Sequence, residues 1–168
     1  MGTSAVEIEA EDRRSSRVDE LLDCESVIWL STVRPDGRPH LIPIWFLWDG
    51  QAVLFASKPS ACKVANLQAN ADCMIAIGDP EADFDVALIE ARAELADMST
   101  DELLAAGLLI KYRDRLLGSD LTPALFAATY SQVVRVVPTR WLPWHGRMAR
   151  PAWRGGLGAE IVVHASVG

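Results

Sequence analysis

This chain has little cysteine and none of it paired by spacing. Its 168 residues include three, Cys24, Cys62 and Cys73, an odd and scattered set without a Cys-x-x-Cys. That excludes a zinc ribbon or a thioredoxin-type pair and predicts a reduced, cytoplasmic setting. Histidine is scarce too: His40, His145 and His164 show no metal-ligand spacing and no His-Glu-x-x-His, so no metal site is expected. No serine sits in a Gly-x-Ser-x-Gly elbow, which leaves a hydrolase without support. Positive charge is in deficit. Against 23 Asp and Glu stand 16 Lys and Arg, a net charge of −7, which argues against a nucleic-acid partner but leaves room for a local basic pocket. No apolar run approaches the roughly 18 residues that span a bilayer, so no membrane insertion is expected. The polar, acidic start reads as neither signal peptide nor anchor. Gly155-Gly156-Leu157-Gly158 precedes an apolar, strand-like run rather than a helix, so it is no dinucleotide loop.

What is present is mostly strand. Half of the residues are hydrophobic and the length fits one domain. Residues 28–46 form two apolar runs joined by Asp36-Gly37, a strong hairpin signal because glycine takes positive φ without steric cost. A second Asp-Gly, Asp49-Gly50, leads to Ala52-Val53-Leu54-Phe55-Ala56. Strands are predicted at 27–34, 39–48 and 52–57 as a meander, then at 73–77, 86–95 and 132–137, the last ending at Pro138. In the 86–95 strand Glu90, Arg92 and Glu94 alternate with Ile89, Ala91, Ala93 and Leu95, one face wet and one packed.

Helices punctuate the strands. Residues 17–25 place Val18, Leu21 and Leu22 on one face. Ser60 reads as the N-cap of a helix of about ten residues that buries Val64 and Leu67. Ser99-Thr100-Asp101-Glu102 is a capping box opening a helix with Leu104, Leu108 and Tyr112 inward, which Gly118 can stop. Thr122-Pro123 starts another helical piece. Residues 1–16 are charged with little to bury and are predicted to be disordered. The whole is mainly β, a β-barrel or sandwich with flanking helices.

Two constellations carry chemistry. In Ser57-Lys58-Pro59-Ser60-Ala61-Cys62-Lys63, a strand end, two hydroxyls and two lysines meet a helix N-terminus, whose free N–H groups and partial positive charge suit a phosphate. The same residues also fit an ordinary strand-to-helix loop with solvated lysines. The second constellation is tryptophan, six in all. Trp45 and Trp48 lie near the end of the second strand, and Trp141 and Trp144 follow the last one. Flat rings there can wall a site for a planar ligand, while core packing or a dimer interface suits Trp29 and Trp48 better. No acid, base or nucleophile set accompanies them. Such a lack fits a protein that lends a pocket to a redox cofactor, because the cofactor carries the chemistry.

The stretch from Trp29 to His40, then Pro43-Ile44-Trp45-Phe46 and Lys63-Val64-Ala65-Asn66-Leu67, resembles the pyridoxamine 5′-phosphate oxidase-like split β-barrel superfamily. Within it the chain is most similar to the actinobacterial flavin/deazaflavin oxidoreductases that use coenzyme F420. The strand Ala87 to Leu95 and the segment Val136 to Trp141 also resemble family strands, so the likeness covers roughly residues 17–145. It implies a split-barrel domain at 17–147 and leaves residues 148–168 as a C-terminal tail without a family counterpart. It further implies a six-stranded, FMN-binding-like split barrel that is homodimeric, with the cofactor in a groove between subunits. By position, Ser57, Lys58, Ser60 and Lys63 would hold the cofactor phosphate, with Asn66 a neighbour. Pro43, Ile44 and Trp45 would run along the ring, and Trp144 would close the groove from the partner chain. The family's arginine on the second strand is missing from residues 40–48, and Cys62 replaces the arginine before the lysine. Vitamin synthesis is not implied. The shorter phosphate-ligand set implies F420 ahead of flavin mononucleotide (FMN), with hydride transfer to a small planar redox substrate. An FMN-dependent oxidase-like enzyme, or a non-catalytic cofactor- or haem-binding protein, is the alternative.

Overall fold

The computed structural model describes residues 18–79, 85–117 and 119–145. The predicted disorder of residues 1–16, the helix stop at Gly118 and the tail at 148–168 lie outside them. The side chains of Trp144 and His145 are likewise outside the description.

Residues 18–24 form the first helix, α1. The strands are β1 (Ile28–Val33), β2 (Pro39–Ile44), β3 (Leu47–Trp48), β4 (Val53–Ser57), β5 (Asp72–Asp79), β6 (Asp85–Leu95) and β7 (Gln132–His145). Helix α2 (Cys62–Ala69) joins β4 to β5. Between β6 and β7 lie α3 (Thr100–Leu103), a π-helical turn (Leu104–Leu108), α4 (Leu109–Lys111), α5 (Arg113–Leu117) and α6 (Pro123–Thr129). All strand pairs are antiparallel, in the order β2-β1-β5-β6-β7-β4-β3.

The two edges of that sheet, β2 and β3, are consecutive in the chain and separated only by Trp45 and Phe46. The sheet therefore curls until its edges meet at a covalent joint, which removes most of its unpaired edge. Counted as one strand, residues 39–48 give the six strands that the resemblance implies. The expected meander holds through this joint. β2 pairs with β1, whereas β4 pairs with β3 and β7. Side chains keep alternating through the joint. Ile44 and Phe46 lie in the barrel core with Trp48 packed against it, while Trp45 and Leu47 face a second cluster outside. That outer cluster holds Leu54, Leu103, Leu104, Leu108, Tyr112, Leu116, Phe126 and Val133, so β4 and β7 are covered on both faces, by the barrel core inside and by the helical layer outside.

Local signals act as read. Gly37 and Gly50 take φ of 81° and 88° in the two Asp-Gly turns. Ser99 accepts from the Glu102 amide while Glu102 returns to the Ser99 amide, a complete capping box. Thr122 caps α6 in front of Pro123. On β6, Ile89, Ala91 and Ala93 are buried, and Arg92 and Glu94 form cross-strand pairs with Asp72 and Arg135. Leu95, expected inside, is 40% exposed at the strand's end. Three expectations fail. β7 does not stop at Pro138 but runs on to His145, because β4 covers only residues 132–136 and a register shift opposite Glu90 and Ala91 accommodates the proline. Trp141 and Trp144 consequently lie within the last strand. The third helix is not continuous, since Gly107 sits at φ 140° inside the π-helical turn.

Tyr112 fastens the joint. Its ring is 1% exposed and stacks on Trp45 at 4.7 Å. Its hydroxyl accepts from the Phe46 amide at 2.8 Å and has two carbonyl acceptors in reach, Ser26 at 2.9 Å and Phe46 at 3.0 Å. The neighbouring Lys111 amine donates to the Leu22 carbonyl at 3.1 Å and lies 3.7 Å from the centroid of the Phe46 ring. Burial lowers that amine to about 8, an effect only partly offset by Asp23, Cys24 and Glu25. Between about 8 and the unfolded value of 10.5, the unfolded chain binds more protons at this position, so stability rises with pH. Burial raises Cys73 from 9.0 to about 12, which opposes the trend above pH 9. Urea midpoints are thus expected to rise from about pH 8 to about pH 9, and Lys111→Met is expected to flatten the rise. An unchanged slope in that variant would mean that another group carries it.

Candidate functional site

One end of the barrel gathers the C-termini of β1 and β4, the N-termini of β2 and β7, and the first turn of α2. Chain reversal there is tight: the Ala61 amide bonds the Lys58 carbonyl at 3.0 Å around Pro59 and Ser60. This turn corrects the expected cap. Ser60 is spent within it and stays exposed, so extended Ala61 (φ −70°, ψ 142°) becomes the N-cap and no side chain caps the helix. Helix α2 then has eight residues rather than ten. It buries Val64 and Leu67 as expected.

The head of α2 carries no acidic residue in its first turn. Its partial positive charge is therefore uncompensated from within the helix. Lys63 is half-buried, and burial holds its amine below the usual lysine range, with the Cys62 thiol acting weakly the other way. Among the described residues no carboxylate pairs with it. Lys58 is exposed, its ammonium 5.9 Å from the Tyr130 ring centroid. Ser57 is 1% exposed and donates to the Lys58 carbonyl at 3.2 Å, so its hydrogen is already committed.

Asn66 is as buried as Ser57, and its amide donates to Thr32 Oγ1 at 2.9 Å. Thr32, also 1% exposed, lies 3.3 Å from His40 Nδ1 on β2. Sequence reasoning missed Thr32. The signal was available: period two places Ile28, Leu30 and Thr32 on the inner face of β1, a polar side chain at an apolar position.

The remaining candidates lie elsewhere. Pro43, Ile44 and Trp45 are at the far end of β2, roughly 10 Å or more along the strand from His40. Pro43 is exposed, Ile44 points into the core, and Trp45 is half-buried against Tyr112 and Phe126. Trp144 pairs through its backbone with Val86, near the far end of β7. Ser57, Lys58, Ser60, Lys63 and Asn66 thus share one rim, and the expected ring-binding residues sit toward the other.

Beside this rim the outer face of β2, β1 and β5 is apolar and open. Trp29 is 48% exposed, Leu41 59% and Met74 37%. Their registers place them on one face, with Trp29 opposite Pro43 and Ser31 between Leu41 and Met74. A contiguous patch of this kind marks a binding surface. Among the described residues no helix is long and apolar enough to cross a membrane. Among the same residues no cluster of three His, Cys, Asp or Glu is placed to hold a metal ion.

A curled antiparallel sheet closed through one interrupted strand, with helices on its flank, is a split β-barrel. The chain belongs to the pyridoxamine 5′-phosphate oxidase family, whose pattern matches residues 15–145. No curated protein matches it significantly in sequence. Solved structures share the fold. An F420 reductase is 24% identical with a TM-score of 0.61, covering 73% of this chain and 94% of its own. A conserved hypothetical protein from Mycobacterium tuberculosis is 21% identical with a TM-score of 0.62, covering 84% and 91%. The haem storage protein HutZ from Vibrio cholerae is 18% identical with a TM-score of 0.56, covering 74% and 89%.

Proposed function

We propose that this protein is an oxidoreductase that holds coenzyme F420, or alternatively FMN, at a seam between two copies of the chain. Its substrate is a planar, conjugated small molecule. The observation that carries this reading is the head of α2: without a side-chain cap, free of acid in its first turn and flanked by a half-buried Lys63 that no carboxylate pairs with among the described residues. A phosphate there neutralises the lysine and takes up first-turn N–H groups. Lys58 and Ser60 reach the same anion from the turn, and Ser57 lines its edge. Of Pro43, Ile44 and Trp45, exposed Pro43 offers a wall along β2 for a flat ring, while Ile44 and Trp45 support it from the core and the helical layer; Trp144 of the partner subunit would close the groove. A bound deazaflavin or flavin supplies the hydride chemistry; the protein orients it and excludes water. The scarcity of cationic side chains at the rim, together with the fold shared with an F420 reductase, supports F420 ahead of FMN.

The second copy is expected on the face of Trp29, Leu41 and Met74. Trp29→Glu with Leu41→Glu would bury like charges across a two-fold seam, so light scattering is expected to show a monomer. Cofactor titration followed by tryptophan quenching tests the reading directly. Saturable binding of F420 at micromolar levels is the expected result, with FMN weaker. Tighter FMN binding would favour a flavin-dependent oxidase. Haem uptake without turnover would favour a storage role, and binding of none of the three would remove the cofactor reading.

A further inference from the structure

Helix α2 is too short to hold its own geometry, because eight residues without a cap are marginal in isolation. Its orientation comes from what it packs on. Val64 and Leu67 supply apolar burial, which sets depth but tolerates sliding and rotation. Among the described residues one side-chain hydrogen bond ties the helix to a strand, the buried bond from Asn66 to Thr32, made between residues 34 apart in sequence. Asn66 also reaches back to the first turn, its Oδ1 accepting from Cys62 Sγ at 3.7 Å. Thr32 passes the contact on to β2 through His40 Nδ1 at 3.3 Å and the His40 carbonyl at 3.5 Å. A chain of side chains therefore runs from the helix head, through β1, to the edge strand. Every buried side-chain polar atom among the described residues has at least one partner within the protein, those of Thr32 and Asn66 included.

We propose that Thr32 and Asn66 are positioning residues for the anion site, and that they set the angle at which the head of α2 and Lys63 meet the bound phosphate. This rests on the reading that the α2 head receives a cofactor phosphate. Asn66 was expected beside that phosphate; its burial and its bond to Thr32 give it the orienting role instead.

The test uses the full chain, with F420 and FMN as probes. Thr32→Val keeps the shape of the side chain but removes the oxygen. Thr32→Ser keeps the oxygen. Replacing both partners, Thr32→Val with Asn66→Leu, leaves no buried polar group unpaired and guards against a folding defect. Thr32→Val and the double variant are expected to weaken the better probe by about fivefold to tenfold, with Thr32→Ser near wild type. The alkaline limit of binding should move to higher pH in both weakened variants, as Lys63 gains water; loss of packing alone would leave that limit in place. A Lys63→Ala change should cost less in the double variant than in wild type. Wild-type binding with unchanged affinity and pH limit in Thr32→Val and in the double variant would overturn the positioning role and leave the anion site standing. Failure of the wild type to bind either probe would overturn both.

Discussion

Replacing Phe46 by alanine is expected to cost about 3–5 kcal/mol of folding stability. Three features converge on this side chain. It is fully buried in the barrel core. It occupies the two-residue joint between β2 and β3, where the sheet's edges become one strand. Its ring also faces the Lys111 amine at 3.7 Å, a contact worth about 0.5–2 kcal/mol when partly desolvated. Alanine removes the ring and leaves a void that the joint cannot readily close over, since its backbone at Phe46 is tied to the Tyr112 hydroxyl. Against a typical stability of about 5–15 kcal/mol, the loss is severe. Urea unfolding checks it, with the m-value expected to hold and the midpoint to fall. Phe46→Leu should retain most of the stability. Combined with Lys111→Met the losses should not add, because the two side chains share one contact. A loss below about 1 kcal/mol for Phe46→Ala would show that the joint relaxes and that closure resides elsewhere.

That joint also marks where the sequence stops being legible. Turns and caps are written in single residues, so Asp36-Gly37, Asp49-Gly50, the Ser99 box and Thr122-Pro123 could be read at once, and each stands where expected. Residues 39–48 alternate without interruption, and period two says nothing of which neighbour a strand pairs with. That the strand breaks at Trp45 and Phe46 and carries β3 to the opposite edge of the sheet is not written locally; the Phe46 amide at the break is held by the Tyr112 hydroxyl, 66 residues away. Pro138 read as a stop because the rule assumes ladder partners on both sides; beyond residue 136, β7 has lost β4 on one side. At the candidate site the lysines and hydroxyls were visible as a local run. The displacement of the cap from Ser60 to Ala61 was not, because it depends on how the chain turns around Pro59. Nor was the role of Asn66, which is decided by a threonine on another strand.

Lys63 carries the largest expected effect on binding. Lys63→Ala should weaken F420 or FMN by about 1.5–3 kcal/mol, roughly 10- to 150-fold, the range for losing a charge-assisted hydrogen bond. Lys58→Ala should cost less, since that ammonium is solvated and screened. The pH dependence separates the two lysines. Burial lowers the Lys63 amine below the usual lysine value, so in the free protein its charge is lost at a lower pH than a solvated lysine would lose it. Only the ammonium form pairs with the phosphate. Affinity should therefore fall on the alkaline side earlier than for an exposed lysine, and Lys63→Arg, which stays charged, should abolish that fall while binding more weakly than wild type at neutral pH. Linkage requires the converse: the bound phosphate must raise the Lys63 pKa by the same free energy that the charge adds to binding. Isothermal titration in two buffers of different ionisation enthalpy reads that uptake as protons taken up on binding at alkaline pH. A wild-type protein that binds with full affinity, no proton uptake and no response to Lys63→Ala would place the phosphate somewhere other than the head of α2.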